Sequence, residues 1–353
     1  MSGWEQWKDG FFQKYLHWKT RPARLKRHLE RSTPKLTPAL DNLTEKKEQI
    51  TVVALQLEMN LYQDILAFVD KMALMVHKST EKGADLIVFP EDNLLQLLGL
   101  LPGITGEQQG QAVDHFLSRT GEDLSITDIL GFIGPIISKA SLFIFAELAK
   151  RFQVYLMAGS GMLPGADGKI YNIAYLFGPD GELLGQQKKA HLLPLERGWG
   201  LASGDELLVV STGIGRLAFP VCMDATYFET FRILANQGAE IVMIPIANPD
   251  AEYNYWTALR GIWSRVQESR VFGIKSAMVG ELFGFKFTGQ AGIYAPFQLT
   301  AGNTGIIAEA ATFDREELVV AELDLTELRE LRVDDDCNLA IWEELFPRIY
   351  REK

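Results

Sequence analysis

The chain has 353 residues, 47% hydrophobic and 23% charged, which is the composition of a folded globular protein with a sizeable core rather than of a disordered or fibrous one. Its net charge of −11 lacks the basic footprint that nucleic-acid backbones require, so no nucleic-acid partner is expected. Two cysteines cannot build a disulfide framework and no secretory leader pattern opens the chain at Met1-Ser2-Gly3-Trp4, so a soluble, cytoplasmic protein is expected.

Residues 1–48 stand apart, with eleven Lys and Arg against six Asp and Glu. Trp4, Trp7, Phe11, Tyr15 and Trp18 recur at spacings of three and four, one face of a helix. A second basic helix is predicted over 21–31, then a linker through Pro34, Pro38 and Glu45-Lys46-Lys47-Glu48. The aromatic stripe is expected to bury against the chain's own surface. Contact with a membrane surface, which its basic flank would suit, and docking to another protein are the less favoured readings.

From residue 50 the texture is α/β. A buried strand is predicted at 50–57, a helix at 61–82 and a short strand at 85–89 that ends in Pro90-Glu91. The apolar stretch 94–142 reads as a helical insertion, followed by a helix at 143–152. Within it, Asp128, Gly131, Gly134, Pro135, Ser138 and Lys139 interrupt residues 126–148 and argue against a membrane span. Strands at 154–158 and 170–177 follow, the second turning at Pro179-Asp180-Gly181 into a hairpin that ends at Lys189.

The apolar run before Cys222 reads as a strand, and Thr226 with Glu229 predicts a capping box opening a helix that Gly238 closes. A strand at 240–245, one long helix at 253–270 and four further strands complete the pattern. Pairs of strands alternating with helices predict two sheets packed face to face with helices outside. The expected organisation is a basic N-terminal extension (1–48), one domain (49–325) and a helical, oligomer-contacting tail (326–353).

Glu91, Lys189 and Cys222 each stand where an apolar strand ends, the place where open α/β sheets expose ligand-binding groups. Together they are a base, a cation and a nucleophile. Glu91 would take the thiol proton as Cys222 attacks a carbonyl, and Lys189 with the backbone N–H of Met223 would hold the resulting oxyanion. The bland alternative for Cys222 is an inert buried thiol. Cys337, among Asp334, Asp335 and Asp336, is a poor nucleophile because acidic neighbours raise a thiol pKa.

Val88-Phe89-Pro90-Glu91, Lys188-Lys189-Ala190-His191-Leu192 and Cys222-Met223-Asp224 in this order resemble the nitrilase, or carbon–nitrogen hydrolase, superfamily, over about residues 49–323. The resemblance implies a four-layer α-β-β-α sandwich that pairs into homodimers or larger homo-oligomers and uses no metal or organic cofactor. It implies Glu91 as general base, Lys189 as transition-state cation and Cys222 as nucleophile. Glu196, seven residues after Lys189, matches the family's second glutamate.

Met223-Asp224 rather than Trp-Glu after the nucleophile points toward amides and N-carbamoyl compounds and away from nitriles. Thr226 stands where an arginine is common, which marks a divergent subfamily. Trp199, Tyr227 and Phe228 are candidate pocket residues, and His191 is read as a structural hydrogen-bonder. The expected activity is hydrolysis of a small-molecule amide through a cysteine thioester. An acyltransferase passing the thioester to an amine is the alternative, and a nitrilase or a non-enzymatic scaffold stands behind it.

Overall fold

A computed structural model describes residues 10–33, 46–102, 104 and 124–333. The chain opens with two helices, α1 (Gly10–Lys19) and α2 (Pro22–Ser32), and enters the domain through β1 (Gln49–Glu58), α3 (Ile65–Thr80) and β2 (Leu86–Val88). A 3-10 segment (Asn93–Leu100) precedes α4 (Ile126–Phe152), β3 (Tyr155–Pro164), β4 (Ile170–Phe177) and β5 (Leu183–Lys188). Then come α5 (Pro194–Gly198), β6 (Val209–Thr212), β7 (Gly215–Ala218), a 3-10 turn (Cys222–Thr226), α6 (Phe228–Asn236) and β8 (Ile241–Ile246). The last elements are α7 (Tyr255–Arg260), α8 (Trp263–Ser269), β9 (Phe272–Leu282), β10 (Phe285–Phe287), β11 (Gly292–Tyr294), β12 (Ile306–Glu309), β13 (Glu317–Asp324) and α9 (Leu325–Val333).

The strands hydrogen-bond in the order β5-β4-β3-β2-β1-β9-β8-β7-β6, with β13 antiparallel on β1. The path bends where β1 meets β9, because the two pair only through Gln56–Glu58 and Ala277–Val279. Period-two alternation then sorts the strand residues. Val52, Ala54, Val88 and Leu176 face Leu217, Phe219, Met243 and Ile274 across an apolar interior. On one outer face Val53, Leu55, Ile87 and Leu156 meet Phe68, Met72, Phe145 and Leu148 of α3 and α4. On the other, Ala218, Val242 and Ile244 meet Phe231, Leu234 and Val266 of α6 and α8. These are four layers, α-β-β-α.

Four local expectations need correction. The stretch split between an insertion and a helix at 143–152 is a single helix from residue 126, opened by Ser125, whose hydroxyl accepts from Asp128 N while Asp128 accepts from Ser125 N. It is long and apolar enough to cross a membrane, yet 56% of its apolar window is buried inside the structure. The helix predicted at 253–270 breaks at Gly261-Ile262 into α7 and α8, because Ile262 turns its side chain into the outer core. Thr226 and Glu229 form no capping box: residues 222–226 wind as a 3-10 turn, and α6 starts only at Phe228.

The fourth concerns the N-terminal helices. Leu16, Leu25 and Leu29 bury fully in the cluster of α3 and α4, and His28 Nε2 lies 2.6 Å from Asp70 Oδ1. The aromatic stripe is the outward face instead, with Phe11 78% and Trp18 50% exposed. Trp4 and Trp7 lie outside the described residues. Of the tail, residues 326–333 belong to α9, which turns Leu325 and Leu328 into the core; the remainder, with Cys337, lies outside the described residues.

Candidate active site

Glu91 follows β2 by three residues and is buried. The chain reaches it through a close approach: Gly159 of β3, at φ +75°, has no room for a Cβ against the Pro90 carbonyl. Glu91 Oε1 accepts from Lys189 Nζ at 2.8 Å and from Asn172 Nδ2 at 2.9 Å, and Oε2 accepts from Ala247 N at 2.8 Å. Lys189, just past the end of β5, donates equally to Glu196 Oε1 at 2.8 Å. Glu196 in turn is fixed by Leu193 N, 2.7 Å from Oε2, at the start of α5. The neighbouring Lys188 points away, its ammonium 3.9 Å from the Tyr171 ring centroid, as strand alternation requires.

Cys222 stands where β7 hands over to the 3-10 turn, with φ at +45°, a left-handed conformation that strains a non-glycine residue. Its thiol lies close enough to the Glu91 carboxylate for that charge to act on it. The turn is held by Asp224, which accepts from Val221 N at 2.9 Å, His191 N at 2.7 Å and, more weakly, Ala190 N at 3.2 Å. His191 Nδ1 lies 2.9 Å from the same carboxylate oxygen. One buried aspartate thus ties the lysine segment to the cysteine turn. From the opposite side, Arg265 donates to the Thr226 carbonyl at 3.2 Å, bracing the loop where Thr226 itself offers no cation.

Two carboxylates and one ammonium leave the cluster a negative excess in a buried setting. Burial and the Glu91 charge push the Cys222 thiol well above its ordinary pKa despite Lys189, so the resting thiol keeps its proton. Burial also raises Glu91, with Lys189 opposing. Burial pulls Lys189 down, but the neighbouring acidic groups outweigh it and lift the ammonium well above its usual range. Burial, then Glu91 and Glu196, drive Asp92 well up as well.

The structure brings Glu91, Lys189, Glu196 and Cys222 into one cluster and sets Met223 beside the thiol on the wall of a cavity of about 380 Å³. Leu193, Ile246, Asn248, Tyr253 and Lys275 share that wall. The three aromatic pocket candidates do not. Tyr227 stacks on His191, ring centroids 4.2 Å apart, and Phe228 is 46% exposed at the start of α6. Trp199 lines a separate apolar cavity of about 70 Å³ with Asp92 and Phe285.

Sequence reasoning missed Asn172 and Asp92. Asn172 is the lone amide in an otherwise apolar strand, Ile170–Phe177, and that was its signal. Asp92 adjoins Glu91 but carried none. Among the described residues no cluster of His, Cys, Asp and Glu is arranged to hold a metal ion.

The carbon–nitrogen hydrolase family profile matches residues 51–333, and the chain belongs to that family. It is 29% identical to the probable hydrolase YhcX of Bacillus subtilis (strain 168) over 80% of this chain, spanning 51% of that relative's length. An omega-amidase of Homo sapiens is 28% identical over 53% of this chain and 67% of its own length. Among solved structures, a nitrilase-superfamily protein of Saccharomyces cerevisiae, Nit3, superposes with a TM-score of 0.61 at 20% identity, covering 84% of this chain and 97% of that one. The amidase of Nesterenkonia sp. AN1 in complex with acrylamide, in a doubly substituted form, gives 0.60 at 19% identity, covering 89% and 99%. The shared fold is the nitrilase-superfamily sandwich.

Proposed function

We propose that this chain hydrolyses the C–N bond of a small amide through a thioester on Cys222. The observation that carries the reading is the buried Lys189 ammonium, 2.8 Å from both Glu91 and Glu196, beside a thiol on which all three charges act. In the first half-reaction Glu91 takes the thiol proton as sulfur bonds to the amide carbon. The carbonyl electrons move to oxygen, where Lys189 and the Met223 N–H stabilise the charge. Collapse breaks the C–N bond, and Glu91 returns its proton to the leaving nitrogen. In the second, Glu91 deprotonates a water that attacks the thioester, and the departing thiolate recovers that proton.

Glu196 and Asn172 hold Lys189 and Glu91 in register, the positioning that makes such a sequence fast. Named relatives in the family include amidases, which agrees with this reading. Mass spectrometry of the protein quenched during turnover of a primary amide tests it. An acyl adduct on Cys222, absent in Cys222→Ala, is the expected result, and turnover without such an adduct rules the mechanism out.

A further inference from the structure

We propose that Lys275 is the anion receptor of the cavity that holds Cys222, so that the amide hydrolysed there carries a carboxylate at its far end. The proposal rests on the amide-hydrolase reading and adds to it the class of substrate. Lys275 projects from the middle of β9 and is only 2% exposed, yet it lines the same cavity as the nucleophile. An ammonium has three hydrogens to donate. Among the described residues the Lys275 Nζ makes one hydrogen bond, a long one of 3.5 Å to the Ala258 carbonyl, and no ion pair. Its other near neighbour is the Tyr294 ring, 5.4 Å from the ammonium.

The carboxylate whose charge reaches it, Glu309, is already engaged. Glu309 accepts from the Tyr255 hydroxyl at 2.9 Å and from the Tyr294 hydroxyl at 2.8 Å. Tyr253 donates to Gln290, and Asp250, Glu252 and Arg260 are exposed at the cavity's mouth. Burial pulls the Lys275 ammonium down to about 8, with Glu309 pushing the other way, so at neutral pH the charge persists with unmet donors in a desolvated place. Such a group is costly to keep and has no part in the acyl-transfer cluster of Glu91, Lys189 and Glu196. Beside Ile244, Ile246 and Ala225, a single carboxylate would meet the cation at low dielectric, where the pairing is strong.

Steady-state kinetics on length-matched amides test this directly. The monoamides of C4 to C6 dicarboxylic acids are compared with butyramide, valeramide and hexanamide, using the wild-type chain, Lys275→Met and Lys275→Arg. The wild type should prefer an acid-bearing amide at one chain length. Lys275→Met should lower kcat/KM for that amide by roughly 10- to 100-fold, mainly through KM, and leave the neutral partner within about twofold. Lys275→Arg should retain part of the preference. Equal losses on both substrates with Lys275→Met, or a wild-type preference for neutral amides at every length, would overturn the proposal. Calorimetric titration of the same proteins with succinate, glutarate and adipate reads the anion site without chemistry. Binding that Lys275→Met abolishes supports it even where no amide is turned over, which would then count only against the hydrolase reading. No binding at any length to folded wild type overturns the receptor.

Discussion

The protonation states of the buried carboxyls set how the site should respond to pH. In the proposed reaction Glu91 must be ionised to take the thiol proton, and burial has raised its pKa. As pH falls through that raised value the base is lost, so the acid limb of kcat/KM should lie above the ordinary glutamate range of about 4.3. Glu91→Gln keeps the shape and removes the base; kcat should drop by about 10²- to 10⁴-fold, and the acid limb should vanish from the residual rate. Asp92 gives a stability prediction of definite sign. Its folded pKa lies above its unfolded one, so its contribution to stability is full below the unfolded pKa and is lost as pH rises through the folded pKa. Among the described residues its Oδ1 is buried without a hydrogen-bond partner. Asp92→Asn should therefore melt near the wild type at about pH 4 and increasingly above it toward pH 8, by about 2–4 °C for each kcal/mol relieved. Scanning calorimetry across that range checks it.

At the scale of elements, the reactive geometry depends on turns rather than on the strands that lead into them. The end of β5 brings Lys189 in, the end of β7 brings Cys222 in, and Asp224 clamps one to the other. Asp224→Ala would strand the amides of Ala190, His191 and Val221, so a loss of about 2–4 kcal/mol is expected by urea denaturation, with kcat reduced in the fraction that stays folded. Asp224 is a positioning residue, so Asp224→Asn, which keeps one acceptor, should recover part of kcat without moving the pH profile. The strand ends were legible at Glu91, where the run Leu86-Ile87-Val88-Phe89 stops at Pro90, and at Cys222, where Leu217-Ala218-Phe219-Pro220-Val221 gives way to polar residues, while Lys189 was placed by the turn at Pro179-Asp180-Gly181 and the strand that follows it. The break between α7 and α8 was not, because the helical period continues across Gly261 and only the pull of the outer core on Ile262 ends it.

At the scale of the whole molecule, the first two helices and residues 46–333 are joined through apolar burial at one end, and Glu48 is held to the body by an ionic clamp at the other. Leu16, Leu25 and Leu29 seat the first two helices on α3 and α4. Arg329 of α9 binds both Glu48, at the entrance to β1, and Glu240, ahead of β8. The helices thus act as part of the outer layer rather than as an appendage. Leu25→Ala and Leu29→Ala should each cost about 2–5 kcal/mol in denaturant unfolding, while leaving kcat of the folded protein unchanged because neither residue lies near Cys222.

The sequence by itself determined the positions of Glu91, Lys189 and Cys222 near strand ends, the alternation that builds two facing sheets, and the excess of basic residues over 1–48. Those features are local: they depend on period, on turn residues and on charge counted along the chain. Tertiary structure alone decided what faces what. It turned the aromatic stripe of α1 outward, because leucines on the two N-terminal helices match the groove of α3 and α4 better than bulky rings do. It removed Tyr227 and Phe228 from the pocket by giving Tyr227 a partner in His191 and leaving Phe228 in solvent. It also placed Asn172 beside Glu91, 81 residues away in the chain, and set Lys275 in the cavity of Cys222. No periodicity in one strand reports what another strand brings to the same few ångströms.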